Sequence, residues 1–146
     1  MTNEKQTAIN AIEAKKDLIC QVSDHIWSHP ELSLQEEDSA SYYCQILEQE
    51  GFQVERGICG IPTAFSASYG NGSPRIGILA EYDALSGLSQ EAGSLVQKEI
   101  VPGGCGHGCG HNLLGTGAFG AALGVRAYLE ETGHEGTVIL YGCPGE

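Results

Sequence analysis

"RIGILAEYDAL", Arg75 to Leu85, decides the fold. Its first half, Ile76 to Ala80, is an unbroken apolar run of the kind a central strand buried on both faces carries, and its second half places Glu81 and Asp83 where that strand meets a loop. In open α/β sheets the carboxyl end of a central strand is where sites are built. A second strand of the same character, "GTVILYG" (136 to 142), follows a helical pattern from Asn112 to Glu131 in which Leu114, Ala118, Ala121, Val125 and Leu129 form one stripe. Strand, helix and strand together have the length of a parallel crossover. Gly115, Gly117, Gly120 and Gly124 each cost that helix about 1 kcal/mol against alanine, so the helix is expected to lie close on the sheet.

Upstream, Ala8, Ile12, Ile19, Val22 and Ile26 predict one amphipathic helix from about Thr7 to Ser28, which Pro30 closes. Ala40, Tyr43 and Leu47 predict a second over Leu34 to Glu50, ended by Gly51. "FQVER" (52 to 56) and "TAFSASYG" (63 to 70) read as a strand pair, and "GNGSP" (70 to 74) as a turn. The stretch 84 to 108 has little periodicity and reads as a long loop, which in a compact domain is frequently functional. The fold class is α/β, with a mixed, largely parallel sheet flanked by helices.

The chain has 146 residues, 41% of them apolar, enough for one ordinary core. Its net charge of -12 repels phosphate backbones and anionic lipid, so neither nucleic acid nor membrane is expected as a partner. The first residues lack a secretory pattern, and the expected location is cytoplasmic and reducing. There the six cysteines read as packing residues or metal ligands. Cys20 and Cys44 are assigned to packing; Cys59 and Cys143 are undecided.

"GGCGHGCGHNLLGTG", Gly103 to Gly117, admits several readings. "GTGAFG" (115 to 120) matches a dinucleotide fingerprint but lies inside the helical pattern, where a phosphate loop does not belong. A closed zinc site from Cys105, His107, Cys109 and His111 is strained, because a single residue separates successive ligands. In the third reading Cys109 and His111 alone hold a cation, since positions i and i+2 of an extended segment share a face, and carboxylates at strand ends (Glu81, Asp83, Glu146) complete an open, catalytic site. A plain glycine-rich loop also stands. His25 and His29 read as surface or capping residues.

"AEYDAL" (80 to 85), "HGCGHN" (107 to 112) and "GTVILYGCPGE" (136 to 146), preceded by "IWSHPELSLQEEDSA" (26 to 40), resemble the M20 metallopeptidase and amidohydrolase family, particularly its aminobenzoyl-glutamate hydrolase and dipeptidase branch, which shares Asn112. The resemblance implies a zinc-exopeptidase-like catalytic domain of which residues 1–146 are the N-terminal part, the rest of that domain and a dimerisation domain being absent. It implies Cys109 and His111 as metal ligands, Asp83 as the acidic residue supporting the site and Glu146 as general base. His107 is as readily a support as a ligand. The cofactor implied is a divalent metal ion, zinc first, with manganese or cobalt possible. The substrate is a small-molecule amide or dipeptide, an N-acyl amino acid or aminobenzoyl-glutamate-like conjugate, and the assembly a homo-oligomer. Because the family's glutamate pair is met only at its first member, the chain is expected to be an incomplete, inactive fragment. The competing function is a non-catalytic metal-binding or interaction module with structural zinc in the Cys/His loop.

Overall fold

The computed structural model describes residues 3–146. Helices α1 (Asn3–Ala14), α2 (Lys16–Ser28) and α3 (Glu37–Gln49) precede strand β1 (Gln53–Arg56), a single 3-10 turn, and strands β2 (Phe65–Asn71) and β3 (Arg75–Ala80). The loop 81–110 leads to α4 (His111–Thr132) and β4 (Gly136–Gly142). The expected first helix is therefore two helices, broken at Lys15, whose Nζ reaches Glu50 Oε1 at 2.6 Å. The break lets Ile12 and Ile19 approach different glycines of α4.

The sheet order is β1-β2-β4-β3. The α/β class and the mixed sheet stand as expected, but the parallel share is smaller: β3–β4 is parallel, while β1–β2 and β2–β4 are antiparallel. The turn at 70–74 does not zip β2 onto β3, because α4 returns β4 into the gap between them. This also corrects the expectation for Ile76 to Ala80. β3 is an edge among the described strands, with Ile76 51% and Leu79 62% exposed, and β4 is the buried central strand.

Helices α3 and α4 pack on the sheet, and the core between them is aromatic. The Tyr43 ring lies 5.6 Å from Tyr82, 6.1 Å from Phe65 and 6.4 Å from Phe119. Tyr82 is fully buried, and its hydroxyl donates to the Thr63 carbonyl at 2.6 Å. Burial holds both tyrosine hydroxyls far above the ordinary phenol range, so neither ionises. Tyr82 separates Glu81 from Asp83, and in an extended segment successive side chains alternate. Driving the Tyr82 ring into the core turns both carboxylates the other way, toward the start of α4.

The α4 glycines do not all serve the sheet, as the sequence leads one to expect; the structure divides them. A Cβ at Gly120 or Gly124 would meet Ile19 or Ile12, so these two admit α2 and α1. A Cβ at Gly115 would lie 2.3 Å from the Glu81 carbonyl oxygen and 2.8 Å from the Tyr43 hydroxyl, whereas one at Gly117 meets nothing within 4 Å. Helix propensity is the same at both positions, so the surroundings decide the sign. Gly115→Ala is expected to lower stability by about 1–3 kcal/mol through overpacking, and Gly117→Ala to raise it by up to about 1 kcal/mol, as read from urea unfolding midpoints.

Candidate active site

Three separate pieces of chain meet at one imidazole. β3 delivers Glu81 and Asp83 as it runs into the loop. The extension of β4 is tied alongside by the Cys143 amide, which donates to the Ala80 carbonyl at 2.8 Å and so carries Pro144 to Glu146 past the same strand end. Gly110, in the left-handed region at φ 80°, turns the glycine-rich loop into α4, of which His111 is the first residue. Only glycine adopts this conformation without strain.

His111 is 4% exposed and Asp83 2%. His111 Nδ1 lies 2.7 Å from Asp83 Oδ1, and the Ser33 hydroxyl donates to Asp83 Oδ2 at 2.8 Å. A carboxylate accepts, so the Nδ1 proton is committed to Asp83 and Nε2 presents its lone pair. Facing Nε2 are Glu81 Oε2 at 3.3 Å and Glu146 Oε2 at 3.9 Å. These three ligand atoms lie within 4.8 Å of one another. One nitrogen and two carboxylates converge here with no donor among them, and a cation completes such a set. The donors are therefore fitted to a divalent metal ion, with Glu81 partly open and Glu146 exposed on the solvent side.

The sequence-derived residues fall on both sides of this group. His111 and Glu146 are in it, and Asp83 backs it. Cys109 is exposed in the preceding loop and is outside the group. Glu81, for the sequence only a permitted partner, faces the imidazole directly. The four-ligand alternative is not assembled: Cys105 donates to the Pro30 carbonyl, His107 Nε2 to the Ile26 carbonyl at 2.9 Å, and the Cys109 side chain is exposed. The first half of the motif therefore braces the loop against α2, and burial, only partly offset by that hydrogen bond, holds His107 below the usual imidazole range. Cys20, assigned to packing, is exposed, while Cys44 is buried and its thiol is pushed up to about 11.

Glu36 carries no signal in the sequence. Completely buried, it accepts from the Leu34 amide at 2.8 Å, the Thr63 hydroxyl at 3.0 Å and the Gly145 amide at 3.1 Å. It thereby fixes the residue before Glu146. Nothing in "LQEED" separates Glu36 from Glu37; only the helix start at Glu37 makes one a core group and the other a surface one.

No family model matches the chain. One of the subunits of the p-aminobenzoyl-glutamate hydrolase of Escherichia coli is 52% identical over 137 residues, covering 94% of this chain and 28% of that protein. The Xaa-Arg dipeptidase of Mus musculus is 30% identical over 154 residues, 97% of this chain and 32% of its own length. The chain thus spans less than a third of these curated relatives. Among solved structures, a dinuclear metal-binding peptidase of the M20 family from Bacillus subtilis superposes with a TM-score of 0.72 at 23% identity, over 92% of this chain and 36% of that one, and shows the same fold.

If Asp83 sets the His111 tautomer, long-range proton–nitrogen NMR of the metal-free protein shows an Nδ1-protonated ring. Asp83→Asn, whose side chain offers a donor as well as an acceptor, is expected to shift that ring toward the Nε2-protonated form. A wild-type ring already protonated at Nε2 would contradict the assignment.

Proposed function

We propose that this chain, which belongs to the M20 family of metallopeptidases and amidohydrolases, carries part of a metal-dependent amide-hydrolysing site for small N-acyl amino acids, aminobenzoyl-glutamate-like conjugates or dipeptides. The observation that carries this reading is the convergence of Glu81, His111 and Glu146, with Asp83 behind the imidazole. His111 is the ligand held in register, and Cys109, flanked by glycines in the same loop, is the second ligand of the pair. A thiolate and an imidazole favour zinc, with manganese or cobalt as alternatives. A divalent cation bound there polarises a scissile carbonyl and acidifies water. Glu146, solvent-facing yet held through Gly145 by Glu36, accepts a proton from the attacking water and returns it to the departing amine. Asp83 keeps the Nε2 lone pair aimed at the cation and excludes the competing tautomer.

With Glu146 kept as the base, Glu81, His111 and Cys109 are few ligands for a complete site, and the relatives are about three times longer than the matched stretch. In our reading residues 1–146 are one part of a catalytic domain, binding the cation without turning over substrate unaided. The free edge of β3, with Ile76 and Leu79 exposed, supports association with further chain, a second copy included. A structural zinc in the Cys/His loop is the weaker reading, because Cys105 and His107 are already committed to backbone carbonyls.

Equilibrium dialysis against zinc, combined with chromatographic detection of p-aminobenzoate released from p-aminobenzoyl-glutamate, tests both halves. Zinc binding is expected in the wild type, with one equivalent held at least tenfold more weakly in His111→Asn and Glu81→Gln, and no release of product by the isolated chain. Unchanged zinc affinity in both variants would end the metal assignment. Turnover by the isolated chain would end the reading of an incomplete site.

A further inference from the structure

A second group of ligating side chains lies away from His111, where the end of α2 meets the start of α3. His25 in the last turn of α2 and His29 at its C-cap are four residues apart and share a face, and Asp38 projects from the first turn of α3. One nitrogen of each ring and one carboxylate oxygen lie within 4.8 Å of one another. His25 Nε2 donates to Asp38 Oδ2 at 2.7 Å, a proton that a bound cation displaces to solvent as it takes the place between the two groups, and His29 Nδ1 is 2.8 Å from the His25 carbonyl oxygen. That carbonyl can only accept, so His29 carries its proton on Nδ1 and leaves Nε2 a free lone pair, the arrangement metal-ligating imidazoles adopt. Asp38 is not needed to cap α3, since the Glu31 carboxylate takes the Asp38 and Ser39 amides, each at 2.9 Å. His25 is held from its other side by Tyr42, stacked at 3.8 Å and 11°.

We propose that His25, His29 and Asp38 form a second, solvent-facing site for a divalent transition-metal ion of imidazole-binding type (zinc, nickel or copper), separate from the one at His111. Two imidazoles and a carboxylate exclude magnesium and calcium as the preferred occupant. The histidine rings are stacked at 4.3 Å and 24°, and tetrahedral ligation at about 2.0–2.1 Å brings donor atoms within about 3.4 Å of each other. Binding therefore turns the exposed His29 out of the stack while Tyr42 keeps His25 in place. Water fills the remaining positions, and the chain's net charge of -12 favours cation capture.

The site has a structural consequence. The cation clips α2 to α3 across the segment 29–36, and that segment supplies Ser33 to Asp83, the Glu31 carbonyl to the Ala84 amide at 2.7 Å, and Glu36 to Gly145. Occupancy stiffens the brace under the His111 site without contributing a group to it.

Nickel is the probe. Bound equivalents are measured by dialysis, and the nickel-induced rise in Tm by circular dichroism, in wild type, His29→Gln, Asp38→Asn, His134→Gln and His111→Asn. His29 and Asp38 are exposed, so their variants are expected to fold with wild-type far-ultraviolet spectra. His29→Gln is expected to lose one bound equivalent and at least half of the Tm rise, Asp38→Asn to bind that equivalent at least fivefold more weakly, His134→Gln to retain both equivalents, and His111→Asn to retain this one while losing the separate equivalent of its own site. Nickel uptake by His29→Gln equal to wild type would overturn the proposal. So would an equal loss in His134→Gln, which marks single surface imidazoles as the binders. Loss in His111→Asn alone overturns this proposal and leaves the amidohydrolase reading standing; loss in His29→Gln alone does the reverse.

Discussion

The hydrogen bond between Asp83 and His111 is the constraint on which the rest of the structure turns. A carboxylate taken out of water costs several kcal/mol unless its oxygens find donors. Asp83 finds two, the imidazole and the Ser33 hydroxyl, and they come from opposite directions in the chain. Satisfying it requires α4 to begin at His111, which in turn requires the left-handed glycine at 110 and a loop long enough to travel from the end of β3 to the start of α4. It also requires the segment after α2 to fold back beside the strand end. The crossover, the brace and the candidate site are one solution to the burial of one charge.

Tyr82 supplies the force that makes this burial possible. An aromatic ring of that size removes on the order of 150–250 Å² from water, far more than the neighbouring carboxylates lose by being drawn inward. Because alternation along an extended chain is strict, the ring's destination settles that of Glu81 and Asp83 together. The same logic explains Gly115. With Tyr43 and the Glu81 carbonyl on one side of α4, no side chain fits, and the helix can approach closely enough for His111 to reach both carboxylates.

These dependencies show why some features are legible in the sequence and others are not. The strand from Gly136 to Gly142 announces itself as an apolar run and the helix, read over 112 to 131, by its local periodicity, while Asp83, His111 and Glu146 stand out by their motifs at strand and helix ends. The position of β3 at the edge does not follow, because an apolar run records that a strand is apolar and not what covers it. The break at Lys15 escapes for a related reason: helical spacing continues across it, and only the separate partners of Ile12 and Ile19 require a change of direction. Glu36 is invisible to pattern reading altogether. Its burial is offset by the amides of Leu34 and Gly145, residues far apart in the chain whose meeting is a property of the topology.

The two cation candidates differ in how their donors are held, and this difference bears on what each can do. At His111 the imidazole is buried and backed by Asp83, so its lone pair stays aimed whether or not a cation is present; such preorganisation is what a reacting site needs. At His29 the ring is exposed and stacked on His25, and must rotate before it can ligate. A donor that moves to bind couples occupancy to conformation, which suits a clip between helices rather than chemistry. Cys109 stands between these cases. It is two residues from the preorganised histidine, yet its side chain is exposed, in a loop whose neighbouring Gly108 packs on Leu88 and whose Gly110 leads into α4. Exposure of the Cys109 side chain thus contrasts with the burial of His111 and Asp83, the residues that aim the imidazole.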